Sequence, residues 1–153
     1  MSGKNHYIID AAGCKVGRLA SVVAKLLLSG HRVSIYNAEK AVITGNKKAI
    51  LEHYHMLRGR KQFKSHKTVT VWYPTQPDKL LRYAIIRMLP RKKYRGRDAA
   101  RRLSVQVGPA EGSEGSVYEL SDVKLTRPLS RSMRIVRYMT LAELSSHLRG
   151  GLG

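Results

Sequence analysis

Apolar residues along the chain recur with two different periods. Tyr7 to Asp10 is short, apolar and β-prone. After Ala11, Ala12 and Gly13 the period lengthens: Leu19, Val22, Val23, Leu26 and Leu27 follow i, i+3, i+4, i+7, i+8, with Arg18, Ser21 and Lys25 opposite. Gly30 stands where a helix C-terminal cap belongs. Val33 to Asn37 is a second strand, so the chain opens as strand, helix, strand, and a right-handed crossover makes the two strands parallel.

Further along, Val42 and Ile43 predict a short edge strand, and Asn46 an N-cap for a helix from Lys47 to about Leu57. The stretch RGRKQFKSHKTVTVWYPTQP mixes basic and aromatic residues before Val69, Val71 and Tyr73 alternate, which predicts a basic arm or hairpin. Pro77 then opens a helix whose apolar half holds Leu80, Leu81, Ala84, Ile85, Met88 and Leu89, and Pro90 stops it. Gly96 breaks the next run. A short helix from about Arg97 to Leu103 buries Ala99, Ala100 and Leu103, and Ser104 to Val107 is a last core strand. The small, polar GPAEGSEGS of residues 108–116 predicts a loop, after which Thr140 and Glu143 form the capping box of a final helix ending near Gly150. The organisation expected is one domain, with a core over about 5–108, a loop at 108–116 and a basic tail with a terminal helix over 117–153.

Charge changes this picture from a plain α/β domain to a binder of polyanions. The 153 residues carry a formal net charge of +19, and the 42% hydrophobic share is enough for a core. A compact state so charged repels itself unless counter-charge is bound, and nucleic acid is the expected source. A membrane surface is the weaker partner, because the helices need their apolar faces for the core. The densest run, Arg82, Arg87, Arg91, Lys92, Lys93, Arg95, Arg97, Arg101 and Arg102, has Asp98 as its one acid. Further cations expected on RNA are Arg58, Arg60, Lys61, Lys64 and Lys67 in the arm and Arg127, Arg131 and Arg134 in the tail. The arm has little apolar content and is expected to be flexible until RNA orders it. Phe63, Trp72 and Tyr73 are available for base stacking, although the one tryptophan is expected first of all to fill the core.

Candidate catalytic chemistry is thin. Gly13 and Gly17 in AAGCKVGR lack the third glycine of a dinucleotide turn, and Lys15 does not fit a phosphate-binding loop; the glycines are read as a tight turn and close helix packing. Lys15 and Arg18, at a helix N-terminus, remain candidate contacts to an RNA phosphate. Glu39 and Glu52 form no carboxylate couple, and His53 and His55 lie on different helix faces, so neither acid/base chemistry nor a metal site is expected. No cofactor and no small-molecule substrate is implied. One cysteine, Cys14, gives no internal disulfide, and neither a signal peptide nor a membrane span is read from the sequence.

Four segments, YIIDAAGCKVGRLASVVAKLLLSG, VSIYNAEKAVITGNK, RMLPRKKYRG and RYMTLAELSSHL, closely resemble the universal large-subunit ribosomal protein family L-thirteen across most of the chain. The short spacer after Leu28 and the KKYRG run look like its archaeal and eukaryotic branch. The resemblance implies a three-layer α/β/α fold around a small, mostly parallel four-stranded sheet, with a basic arm and a C-terminal extension. It also implies a cytoplasmic, ribosomal role without catalysis: binding large-subunit ribosomal RNA beside neighbouring ribosomal proteins and supporting assembly. Gly17 and Arg18, Asn37 and Glu39, and Met88, Leu89 and Pro90 match family motifs. Two departures stand out. Ile86 and Arg87 replace the usual Arg-Gly, and Thr75 replaces an arginine before Pro77; Arg82 and Arg87, expected on one helix face, are read as replacement charge. The alternatives are an extra-ribosomal RNA-binding regulator and a nucleotide-binding, Rossmann-like enzyme.

Overall fold

The computed structural model describes residues 5–64, 67–70, 72–110, 115–119 and 136–150. Its centre is a four-stranded sheet in the order β6-β2-β1-β7, formed by β1 (His6–Asp10), β2 (Arg32–Tyr36), β6 (Leu103–Val105) and β7 (Ser116–Val117). All three pairings are parallel, and the register sets Tyr7 beside Val33 and Ile9 beside Ile35. The expected α/β fold with a mostly parallel sheet is the one observed.

Between β1 and β2 runs α1 (Val16–Leu28), which buries Leu19, Ala20, Val23, Ala24 and Leu27, close to the face its periodicity predicts. After the 3-10 turn Ala38–Lys40 come β3 (Val42–Thr44) and α2 (Lys47–Gly59), whose Asn46 cap accepts the Lys48 amide at 3.2 Å. The arm is a hairpin, β4 (Lys61–Lys64) against β5 (Lys67–Thr70), paired from Lys61↔Thr70 to Lys64↔Lys67. α3 (Pro77–Arg87) and α4 (Tyr94–Arg101) then pack with α1. α3 buries Leu80, Leu81 and Ile85, and beyond its end Leu89 is buried too. Met88, placed on the apolar half by periodicity, is instead 46% exposed, because the helix ends at Arg87 and Met88 is its C-cap.

Three features differ from the sequence expectation. Gly96 does not break the chain but lies inside the first turn of α4, where a Cβ would collide with the Pro90 carbonyl; the missing side chain lets the helix start against that turn. Gly17 has open space around it, so close packing is not its reason. The core also extends past residue 108. β8 (Tyr138–Thr140) pairs antiparallel with β3, and Met139 with Leu141, Leu144 and Leu148 of α5 (Leu141–Arg149) joins the main hydrophobic cluster. Half of the expected capping box forms: Thr140 Oγ1 accepts the Glu143 amide at 3.2 Å, while the Glu143 carboxylate pairs with Lys47 at 3.0 Å. Among the described residues no helix is long and apolar enough to cross a membrane.

Candidate nucleic-acid interface

The segment joining α3 to α4 hangs between two buried points, Leu89 and Ala99. Between them Arg91, Lys92, Lys93, Arg95 and Arg97 are all exposed, as is Tyr94 at 72%. The turn holds its shape through main-chain bonds: the Arg91 amide donates to Leu89 O at 2.8 Å and the Lys93 amide to Pro90 O at 3.0 Å. Lys93 is the α4 N-cap, no acid occupies the first turn, and the partial positive charge of the helix start adds to that of the side chains. The nearby acid, Asp98, is engaged by Arg102. Apolar anchors thus fix a cationic loop whose charge is directed to solvent.

Not every arginine in the run faces outward. Arg82 donates to the carbonyls of Leu103 (2.6 Å) and Ala100 (3.3 Å), bracing α3 against the end of α4 and the start of β6. Arg102 donates to Leu27 O at 2.8 Å and Arg95 to Leu28 O at 3.2 Å, so both satisfy last-turn carbonyls of α1. Arg58 does the same at the end of α5, through Leu148 O. Arg82 and Arg87 do not share a face as expected: Arg87 is exposed, its guanidinium 5.5 Å from the centre of the Tyr83 ring, while Arg82 points towards α4 and β6. Arg82 and Arg102 therefore serve the architecture, whereas Arg58 is exposed despite its one backbone bond. Arg87, Arg91, Lys92, Lys93, Arg97 and Arg101 stay open to a ligand, and Arg95 is exposed despite its one backbone bond.

Of the other candidate cations, Arg18, Arg60 and Lys61 are exposed and Lys15 is half-buried. The backbones of Lys64 and Lys67 pair across the hairpin, but their side chains, like that of Phe63, lie outside the described set. Arg127, Arg131 and Arg134 also lie outside the described residues.

The turn before α1 is built differently. Gly13 takes φ +69, its amide donates to Lys40 O at 3.1 Å, the Cys14 amide donates to Ala11 O, and the Ala12 amide donates to Asp10 Oδ1 at 3.0 Å. Asp10 Oδ1 also accepts Asn37 Nδ2 at 2.8 Å, and Glu39 Oε2 accepts the Gly108 amide at 3.2 Å. Asn37 sits at φ 51, a left-handed conformation that asparagine tolerates better than most side chains. The Asn-Ala-Glu motif therefore ties together the carboxyl ends of β1, β2 and β6. In a nucleotide-binding sheet this is the crevice for the ligand; here Asp10 Oδ1, Lys40 O and Ala11 O already accept the amides of Ala12, Gly13 and Cys14.

Sequence reasoning missed an aromatic ladder. Tyr73 lies edge-on between Tyr54 (5.9 Å between centroids) and Tyr83 (5.0 Å), and His53 meets Tyr54 at 5.7 Å. Burial, with Tyr54 and Tyr83 alongside, pushes the Tyr73 phenol up to about 12 against the opposing pull of Arg87, and burial also raises Tyr54. Trp72 is not a core residue: it stands 67% exposed. The alternation of Val69, Val71 and Tyr73, which in an extended chain puts Trp72 on the opposite side from them, was the available signal.

A family profile described as Ribosomal protein L13 matches residues 4–111. Similar proteins named Large ribosomal subunit protein uL13 occur in Methanococcus maripaludis (40% identical, covering 92% of this chain and 96% of that protein) and Archaeoglobus fulgidus (39%, covering 95% and 89%). That of Aeropyrum pernix is 44% identical over 71% of this chain and 70% of its own length. These relatives are archaeal, in keeping with the short spacer after Leu28.

Proposed function

The chain belongs to the ribosomal protein L13 family, and from that premise we propose that it is a non-enzymatic structural constituent of the large ribosomal subunit that grips ribosomal RNA mainly through the loop between α3 and α4. The observation that carries the site is the row of outward cations at residues 91–97, fixed between buried Leu89 and Ala99, with Asp98 already paired. Phosphate contacts of this kind set position and orientation and carry no sequence information directly. Arg18, Arg58, Arg60, Lys61, Arg87 and Arg101 extend the grip, and Lys15, Lys64, Lys67, Arg127, Arg131 and Arg134 add further phosphate contacts. Ribosome association makes neighbouring large-subunit proteins its protein partners and the cytoplasm its compartment.

Sedimentation of cell extract tests this reading. The chain should travel with large subunits and whole ribosomes, and washing with high salt should release it. A pool mainly at the top of the gradient would instead favour a free RNA-binding regulator.

A further inference from the structure

A single exposed apolar side chain needs no special explanation, but Trp72 has an unusual mounting. The residue after it, Tyr73, turns inward between Tyr54 of α2 and Tyr83 of α3, with interplanar angles of 73° and 68°. Pro74 is buried next in line. Two helices therefore hold the backbone beside the indole, while the indole itself is 67% exposed. On the other side, Thr70 of β5 pairs with Lys61, so Trp72 follows the base of the hairpin, where Arg60 and Lys61 are exposed. At the far end of the ladder Arg87 lies over Tyr83.

From this juxtaposition of an outward indole, anchored on one side through Tyr73 and Pro74, with exposed cations, we infer that Trp72 is a stacking platform for an unpaired RNA base. The inference rests on the RNA-binding reading above and adds a second chemistry to it, since the α3–α4 loop offers charge whereas Trp72 offers a π-face. Stacking accepts any base, and the flanking cations hold the adjoining phosphates. A duplex keeps its bases stacked on one another, so the platform selects loops, bulges and single strands. The chain's net charge of +19 favours RNA over a protein neighbour at this surface.

The test uses the full chain with a labelled oligouridine and a blunt RNA duplex of equal length. Label anisotropy reports binding, and emission of the one tryptophan reports stacking. The single strand should quench Trp72 on binding and the duplex should not. Trp72→Ala should weaken oligouridine binding by about 5- to 150-fold, with the salt slope, duplex affinity and melting temperature unchanged. Trp72→Phe should restore most of the loss. If oligouridine binds while emission stays constant and Trp72→Ala binds equally well, the platform is refuted, the indole belongs to a protein contact, and the RNA-binding reading stands. If neither RNA binds, both readings fail.

Discussion

Two turns in this protein look alike in sequence and do opposite things. Each carries glycine and cations at the start of a helix with no acid in its first turn: Gly13 to Arg18 before α1, and Pro90 to Arg97 before α4. In the first, the neighbouring chain takes up the main-chain amides ahead of the helix, and of the two cations only Arg18 is fully exposed. Lys40, Asp10 and Ala11 accept these amides, and Asn37 and Glu39 tie the strand ends behind them. In the second, the neighbours support the backbone from beneath and leave the cationic side chains exposed, with Arg95 alone making a backbone bond, to Leu28 O. What decides between a closed joint and an open grip is the surrounding chain, not the local motif.

The comparison can be broken most severely from below. Leu81 of α3 is fully buried in the main core cluster together with Leu89 and Ala99, so Leu81→Ala should lower stability by about 2–5 kcal/mol, read as a fall in denaturation midpoint. An unchanged midpoint would mean that the loop does not depend on this core. Next comes Arg102, which joins α4 to the end of α1 through Leu27 O and pairs with Asp98. Arg102→Ala should cost about 1.5–3 kcal/mol and leave the salt dependence of RNA binding alone, in contrast to any of the outward cations. Gly96→Ala forces a Cβ into the Pro90 carbonyl and should cost about 1–3 kcal/mol by prising the turn from the helix. A fully stable Gly96→Ala protein would show that the contact is not restrictive.

The smallest effect at ordinary pH concerns Tyr73. Its folded pKa of about 12 lies above the unsupported value of 10.0, so the fold favours the protonated phenol. Its contribution is therefore fully present below about pH 10 and is lost as pH rises through 12. Denaturation midpoints should show no tyrosine-linked decline up to about pH 10, and Tyr73→Phe should flatten the decline above it. A Tyr73 titrating near 10 in the folded protein would contradict the burial of the ladder.

Legibility in sequence followed the length of each pattern. The 3.6-residue period of α1 and the Asn46 and Thr140 N-caps are local signals, and each formed as read. β7 has two residues and β8 three, too few for any alternation to register, and their pairing depends on β1 and β3 far away in the chain. Arginine roles were ambiguous for a similar reason. Arg82 and Arg95 stand in one basic run, but only folding brings Leu103 O and Leu28 O within reach of them. The ladder of Tyr54, Tyr73 and Tyr83 likewise spans three separate segments. Gly96 shows the limit in one residue: a glycine that interrupts a pattern and one that permits a contact read the same.

The central claim, that the α3–α4 loop is an open cationic grip held by an independent core, is tested most directly by the salt dependence of RNA affinity. Lys92, Lys93 and Arg97 are exposed, and replacing them spares the Arg95 bond to α1. The triple-alanine protein should melt like the unsubstituted chain, bind cognate and unrelated RNA more weakly, and lose about two to three units from the log-log salt slope, at roughly 0.7–0.9 per phosphate. A triple-alanine protein that melts normally and keeps the full slope would contradict the account and move the grip to another surface.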